Sequence, residues 1–197
     1  TCFMQDHRPL EIDISDNSPD DQTGRLVRQI TPPPGVTLRY WRNEGSLGPV
    51  RSVQKLFDKA RGRRILLLHD DDALLPGAVS ALNAGFELSP DVVISYGLLE
   101  VTDERGELIP EETERDNANA KRTQDQTGLR RDLLTCAFWR HVPPNGFLVD
   151  AEAARRIGYR SREEIGLAQD TDFGIRLAEA YRGSGAFAFI DRTVSQY

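Results

Sequence analysis

A short apolar run that ends on consecutive carboxylates is the feature of this sequence that most restricts its fold. Residues 65–68 read Ile-Leu-Leu-Leu, and His69, Asp70, Asp71 and Asp72 follow directly. Branched aliphatic residues in a row are typical of a strand that is buried on both faces of a sheet. Ionised carboxylates cannot follow such a strand into the core without partners, because their desolvation is very costly. We therefore expect the aspartates at the carboxyl end of the strand, close enough together to need a cation or a shared proton.

The three aspartates predict a divalent metal site. Hard cations such as Mg²⁺ and Mn²⁺ bind carboxylate oxygens and often substrate phosphates as well. Alternation along a strand end leaves two pairs open, His69 with Asp71 or Asp70 with Asp72. The alternative is a solvated acidic cap of a helix that begins at Pro76, where carboxylates suit the helix dipole. Three acids after a buried strand favour the metal site, and a metal there implies a phosphate-bearing substrate.

Composition limits the class of protein. The 197 residues are enough for one domain with a sizeable core. The formal net charge of −6 argues against a general binder of nucleic acid or anionic membranes. Cys2 and Cys136 are far apart and in no metal-ligand spacing, so we expect free thiols in a reducing cytosol. No apolar stretch approaches the roughly 20 residues that span a bilayer. The chain begins without methionine and is expected to be an internal piece of a longer protein.

Strand and helix patterns alternate along the chain. Strands are predicted at 10–15, 36–41, 64–68, 91–96 and 185–191, with a further strand beginning at 193, and helices at 50–60, 76–88, 151–157 and 171–181. This alternation predicts a layered α/β fold with a mostly parallel central sheet, which binds ligands beyond the carboxyl ends of its strands. Segment 102–132 is polar and nearly free of large apolar side chains, so we predict a long, poorly ordered excursion there.

Other polar segments suggest binding or catalysis, and each also has a plain structural explanation. Asp16 follows the first strand, where an Asx turn is the simpler interpretation. Arg42 and Arg51 flank a glycine-containing loop before a helix N-terminus, a place that suits a diphosphate but also an ordinary surface loop. Asp170 precedes the last helix, either as its N-cap or as a general base.

His141 and Asn145 stand on the segment His-Val-Pro-Pro-Asn-Gly and are open to two interpretations. Both side chains can line a pocket. The double proline instead favours a rigid turn, and a lone histidine is more often structural.

Four of these segments, in this order, resemble the family 2 inverting glycosyltransferases of the GT-A fold. They read LEIDISDNSPDD, WRNEGSLGPVR, RRILLLHDDDALLPGAV and GLAQDTDFGIRL, and the resemblance runs over nearly the whole chain. It implies a GT-A-like three-layer sandwich around a mostly parallel, nucleotide-binding central sheet. It also implies that residues 1–197 form a single glycosyltransferase domain that lacks its first strand and its C-terminal end.

The resemblance assigns a role to each motif residue. The expected general base is Asp170, and the expected metal ligands are Asp71 and Asp72 for Mn²⁺ or Mg²⁺. Contacts to the nucleotide are expected from Asp16, Arg42, Asn43, Arg51 and Asp70. The chain departs from the family pattern at three positions: Gln169 replaces the glutamate before the base, His69 stands at the first acid of Asp-x-Asp, and Ser52 replaces an asparagine.

The expected function is metal-dependent transfer of a sugar, with inversion, from a nucleotide diphosphate-sugar to a hydroxyl of a glycan, a lipid-linked acceptor or a protein. The alternatives are nucleotidyl transfer to a sugar phosphate and a non-catalytic glycan- or partner-binding domain of the same fold. We expect no nucleic-acid partner and a cytoplasmic location, which allows peripheral association with the inner face of the membrane. Segment 102–132 is expected to border the acceptor side.

Overall fold

Two β-sheets and eight α-helices form the protein in a computed structural model that describes residues 1–45 and 47–197. The strands are β1 (Leu10–Asp16), β2 (Val36–Arg42), β3 (Arg64–Leu66), β4 (Ala73–Leu74), β5 (Val92–Glu100), β6 (Gly128–Arg130), β7 (Leu148–Asp150) and β8 (Ala186–Gln196). The helices are α1 (Gln22–Gln29), α2 (Gly48–Lys59), α3 (Ala78–Gly85), α4 (Pro110–Asn119), α5 (Leu133–Phe138), α6 (Ala151–Ile157), α7 (Arg162–Ile165) and α8 (Gln169–Ala180). Short 3₁₀ turns lie at Cys2–Met4, Phe86–Leu88 and Gln124–Gln126.

The central sheet is mixed, so the prediction of a mostly parallel sheet is wrong. Its strand order is β3-β7-β5-β8-β4, and β6 also pairs with β8. Within the described residues, β5 and β8 form its one parallel pair, while β7 runs antiparallel to both β3 and β5. The sequence pattern missed β7 because a three-residue strand is too short to show a period. β1 and β2 pair in parallel as a separate sheet.

Helices cover both faces of the central sheet, which gives the three layers that the family resemblance implies. Phe187 and Phe189 of β8 point to one face, where they join Phe57 of α2 and Phe173 of α8 in a buried cluster. The alternating alanines of β8 point to the other face and pack with Leu82 of α3. Burial of each large aromatic or aliphatic side chain contributes roughly 1.5–3 kcal/mol, so these two clusters hold the layers together.

Element boundaries differ from the prediction at several ends. β3 stops at Leu66, and the predicted helix 76–88 is shortened to α3 with a following 3₁₀ turn, because Gly77 adopts a left-handed conformation before it. The last two predicted strands form a single strand, β8. α8 begins at Gln169, which places Asp170 inside its first turn.

Segment 102–132 is folded, so the expectation of a poorly ordered excursion is wrong. It contains α4, a 3₁₀ turn and β6. Buried polar side chains anchor it to β5: Asn117 donates from Nδ2 to the Leu99 carbonyl at 2.8 Å and accepts from Arg122 Nε at 2.9 Å. Arg122, which is 4% exposed, also pairs with Asp116 at 2.6 Å. The segment has few apolar residues because buried polar side chains hold it against the sheet.

Cys2 and Cys136 carry free thiols, as predicted from their spacing. Among the described residues, every helix is too short or too polar to cross a bilayer.

Candidate active site

The turn between β3 and β4 carries an acidic cluster, by which we mean His69, Asp71 and Asp72. One potential ligand atom from each of these side chains lies within 4.8 Å of the others. Asp70 falls outside this group, and both Asp70 and Asp71 are exposed. The sequence left two pairs open, His69 with Asp71 or Asp70 with Asp72. The structure instead groups Asp72 with His69 and Asp71, because the chain turns here rather than continuing as a strand.

Asp72 is partly buried, and its side chain, 6% exposed, is more enclosed than that of His69. Asn145 Nδ2 donates a hydrogen bond to Asp72 Oδ2, and His69 Nδ1 lies 3.3 Å from the same oxygen. Burial raises the pKa of Asp72, and the like charges of Asp71 and Asp70 add to the rise, against the lowering effects of Asn145 and His69. A neighbouring cation would favour the ionised form.

The donor set of the acidic cluster fits a divalent cation. Carboxylate oxygens are the ligands that Mg²⁺ and Mn²⁺ prefer, and an imidazole nitrogen is compatible with Mn²⁺. Both contacts of Asp72 fall on Oδ2, and its Oδ1 has no hydrogen-bond partner among the described residues. Exposed Asp71 and this unpaired oxygen are therefore available as ligands.

A second polar group, the Asp16–Asn43 cluster, lies where β1 and β2 end and α2 begins. It contains Asp16, Asn17, Asn43, Ser52 and Lys55. Buried Asn43 donates from Nδ2 to Ser15 Oγ and Asn17 Oδ1, both at 2.9 Å, and accepts from Lys55 Nζ at 2.5 Å. Asn17 donates to Ser52 Oγ at 2.8 Å and accepts from the Leu47 backbone N–H at 3.2 Å. These bonds order the loop before α2.

Asp16 is a buried carboxylate that is held ionised. It accepts from the Ser18 backbone N–H at 2.8 Å and from Tyr40 Oη at 2.6 Å. Burial alone would raise its pKa, but the hydrogen bonds from Ser18 and Tyr40 and the charge of Arg42 lower the pKa overall. Arg42 donates to the Pro19 carbonyl at 3.2 Å, which keeps it beside Asp16. Arg51 is exposed in the first turn of α2 and, among the described residues, forms no hydrogen bond to this cluster.

Two acids in the first turn of α8 have different partners. Asp172 pairs with Arg160 and, at 2.7 Å, with Arg176. Burial alone would raise its pKa, but the bonds from the two arginines lower it overall. Among the described residues, the Asp170 side chain accepts one hydrogen bond, from Tyr159 Oη at 3.1 Å. Of these two acids, Asp170 is therefore the one whose carboxylate remains available to a substrate hydroxyl.

Stacked aromatic rings fix the position of the Asp170 partner. Tyr159 stacks on Phe173 with 4.9 Å between ring centroids, and Phe173 stacks on Phe147 at 5.9 Å. Phe147 follows Asn145 by two residues, so the ring stack connects the Asp170 end of α8 to the loop that contacts Asp72. Sequence reasoning missed Tyr159, because its spacing from Asp170 carries no motif.

His141 is a structural residue and does not line a pocket. It is fully buried, its Nδ1 accepts from Tyr96 Oη at 2.6 Å, and its Nε2 donates to the Lys121 carbonyl at 2.9 Å. Burial lowers the pKa of His141 to about 4, so the ring is neutral. Asn145, predicted on the same segment, does reach the acidic cluster.

Both the sequence and the fold of this chain are similar to those of known proteins. Residues 1–142 match the family described as glycosyl transferase family 2. An uncharacterised protein of Mycobacterium tuberculosis is 36% identical over 96 residues, which cover 49% of this chain and 29% of that protein. A GalNAc(5)-diNAcBac-PP-undecaprenol beta-1,3-glucosyltransferase of Campylobacter jejuni is 34% identical over 79 residues, which cover 40% of this chain and 25% of that enzyme. The matched segment thus spans only about a quarter of each relative.

Solved structures show the same fold. The crystal structure of S. aureus TarS 1–349 aligns with a TM-score of 0.67 at 14% identity and covers 98% of this chain and 53% of that one. The same protein in complex with UDP aligns with a TM-score of 0.65 at 12% identity, covering 99% and 53%. Because the family match covers most of the chain and the fold agrees, the chain belongs to glycosyl transferase family 2.

Proposed function

We propose that this chain is the catalytic domain of a metal-dependent, inverting enzyme that transfers a sugar from a nucleoside diphosphate-sugar to an acceptor hydroxyl. The observation that carries the proposal is the separation of two kinds of acid. His69, Asp71 and Asp72 form an open cluster suited to a cation, whereas Asp170 lies on α8, where its one hydrogen-bond partner among the described residues is Tyr159. Sugar transfer needs both a counter-charge for the diphosphate and a base for the acceptor.

Asp170 is the proposed general base. Its carboxylate takes the proton from the acceptor hydroxyl, and the oxygen attacks the anomeric carbon from the face opposite the diphosphate. The bond from that carbon to the diphosphate oxygen breaks, its electron pair stays on the diphosphate, and the configuration inverts. Tyr159 orients the base through its hydrogen bond. A divalent cation held by His69, Asp71 and Asp72 would offset the charge that develops on the leaving diphosphate.

The donor nucleotide is proposed to bind at the Asp16–Asn43 cluster. Asp16, held ionised at the end of β1, supplies an acceptor for donor groups of the base, and exposed Arg42, Arg51 and Asp70 are available to the ribose and phosphates. Asn43 is buried and fully hydrogen-bonded, so its role is to order the loop. The UDP complex of the TarS structure supports a uridine nucleotide as the first donor to test.

The acceptor is proposed to be lipid-linked. The Campylobacter jejuni relative carries an undecaprenol-linked acceptor in its name. Phe138 at the end of α5 is 82% exposed, and Ile175 of α8, five residues after Asp170, is 42% exposed. With Leu134 these side chains line a common surface depression. An apolar surface on the helix that carries the base is suited to the lipid part of such an acceptor at a cytoplasmic membrane face.

The domain is proposed to be completed by a further strand from elsewhere in the protein. Among the described residues, β1 pairs only with β2, and β3 only with β7. Each therefore has an unpaired edge. A strand inserted between these edges would join the two sheets, which supports the expectation that this single domain lacks its first strand.

The Asp170→Asn substitution tests the proposed function in the full-length protein. Loss of the base is expected to lower kcat with UDP-sugar and Mn²⁺ by about 10²–10⁴-fold, since that is the usual contribution of a general base. UDP and Mn²⁺ affinities, measured by isothermal titration, are expected to stay unchanged. Glu179→Gln, on the exposed face of the same helix, is the matched control.

Three results would contradict the proposal. Turnover of Asp170→Asn equal to that of the control would exclude Asp170 as the base. Wild-type protein that transfers no sugar from UDP-, GDP- or dTDP-sugars would point to a binding domain. Release of pyrophosphate from a nucleoside triphosphate and a sugar phosphate would identify a nucleotidyltransferase.

A further inference from the structure

Three asparagine side chains among the described residues are buried, and they differ in how completely they are hydrogen-bonded. Asn43, Asn117 and Asn145 are 5%, 8% and 1% exposed. At Asn43 and Asn117 both the oxygen and the nitrogen of the amide have protein partners. These two residues show how this fold treats an asparagine that serves structure.

Asn145 is bonded at one end only. Its Nδ2 donates to Asp72 Oδ2, while its Oδ1 is buried and has no hydrogen-bond partner among residues 1–45 and 47–197. A buried carbonyl without a partner destabilises a fold, and such groups usually indicate a role beyond packing. Within the described residues, the Asn145 side chain forms one hydrogen bond, to Asp72 of the acidic cluster. A role of Asn145 beyond packing would therefore be at that cluster.

The orientation of the Asn145 amide is set by Asp72. In the reverse orientation, Oδ1 would face an ionised carboxylate, and two acceptors would repel each other. The backbone around it is also held firmly: Gly146 donates its N–H to the Leu67 carbonyl at 3.1 Å. Gly146 has a φ of 66°, and a side chain there would collide with Ser195 Oγ. Asn145 therefore reaches Asp72 from a rigid loop.

We propose that Asn145 is a positioning residue that presents Asp72 to a divalent cation. By bonding Oδ2, the amide fixes the carboxylate and leaves Oδ1 as the oxygen available beside His69 and Asp71. This inference rests on the metal site of the proposed function. It adds a residue to which the family resemblance assigned no role.

The experiment measures the affinity of the full-length protein for Mn²⁺ alone, from the electron paramagnetic resonance signal of the free ion. Asn145→Ala and Asn145→Leu remove the donor, with and without loss of side-chain volume. Both are expected to bind Mn²⁺ about 10–100-fold more weakly, the usual effect of losing a group that orients a ligand. Asn117→Ala is the matched control, which is expected to lower the melting temperature and leave Mn²⁺ affinity unchanged.

Asp71→Asn separates failure of this inference from failure of the metal site. If Asp71→Asn loses Mn²⁺ binding while both Asn145 variants stay within twofold of wild type, Asn145 does not position Asp72. If Asp71→Asn binds Mn²⁺ as well as wild type does, the metal site itself is wrong. Circular dichroism that shows both Asn145 variants unfolded would make the residue structural and overturn the inference.

Discussion

The Asp16–Asn43 cluster and the acidic cluster both lie where strands end, but only one of them is internally complete. In the first, the amides of Asn17 and Asn43 are bonded at both ends and Asp16 accepts two hydrogen bonds. In the second, Asp71 is exposed and Asp72 Oδ1 has no hydrogen-bond partner in the described part of the chain. The neighbouring Asn145 Oδ1 is buried and likewise has no partner there. The pKa of Asp16 is lowered and that of Asp72 is raised, in agreement with this difference.

The difference separates two ways in which a polar group serves a site. A completed network stabilises the loop it belongs to and is rigid before any ligand arrives. An incomplete cluster of like charges destabilises the protein slightly and gains its missing partners when a cation binds. Substitutions in the first region should therefore change stability as well as binding of the donor nucleotide. Substitutions in the second should change metal binding and activity without lowering stability.

The largest expected effect follows Asp71→Asn. Sugar transfer with Mn²⁺ should fall by about 10³-fold, because a bound cation contributes several kcal/mol to transition-state charge stabilisation. The melting temperature of the metal-free protein should not fall, since Asp71 is exposed and its removal relieves repulsion with Asp72. Asp70→Asn should weaken Mn²⁺ binding less, because Asp70 lies outside the acidic cluster. Equal losses of Mn²⁺ affinity in the two variants would contradict this grouping.

How much of the fold and of the candidate site can be predicted from the sequence depends on which interactions position each residue. Local sequence patterns predict β1, β2, α2 and α6 well. α2 and α6 each bury part of their surface, whereas the side chains of β1 and β2, apart from Asp16, are only partly buried or exposed. α4 was not predicted, because it is held by buried polar side chains such as Asn117 and not by an apolar face. The three carboxylates after β3 predicted an acidic site. The acidic cluster includes Asp71 and leaves out Asp70 because of a turn in the chain, and no periodicity in the sequence indicates that turn.

His141 and Asn145 show the limit for single residues. They lie four positions apart on one segment, and the sequence left both open as pocket residues. Tyr96 and the Lys121 carbonyl satisfy His141 completely, while Asn145 reaches only Asp72. Their partners are 20 to 73 residues away in the chain. Only the tertiary structure therefore distinguishes a bonded core residue from a site residue.

The next largest effect is a loss of stability on acidification that depends on His141. Its folded-state pKa of about 4 lies below the ordinary histidine pKa of 6.5, so the unfolded chain takes up the proton first. The resulting stability is fully present above pH 6.5 and is lost as the pH falls from 6.5 to about 4. The shift corresponds to about 3 kcal/mol.

Urea denaturation between pH 7.5 and 4 measures this loss. His141→Gln should be less stable at pH 7 and should lack the decline that wild type shows over this range. It should bind Mn²⁺ as wild type does, because both ring nitrogens of His141 already have hydrogen-bond partners and the residue is not part of the acidic cluster. His7→Gln, away from both clusters, should keep the decline. A wild-type protein whose unfolding free energy is constant over this range would disprove the buried neutral histidine.

A smaller effect on stability than that of His141 is expected for Asp16→Asn, which keeps the shape of the side chain and removes its charge. The free energy of unfolding at pH 7 should fall by about 1–2 kcal/mol, because the bonds from Ser18 and Tyr40 lose their charge assistance. Since the pKa of Asp16 is lowered from 3.8, this contribution is present above that value and disappears as the pH falls through the folded-state pKa. The difference from wild type should therefore shrink below pH 3.8, unlike the His141 effect. Asp191→Asn, an exposed acid without a hydrogen-bond partner in the described structure, should leave stability unchanged. An Asp16→Asn protein as stable as that control would remove the contrast between the two clusters.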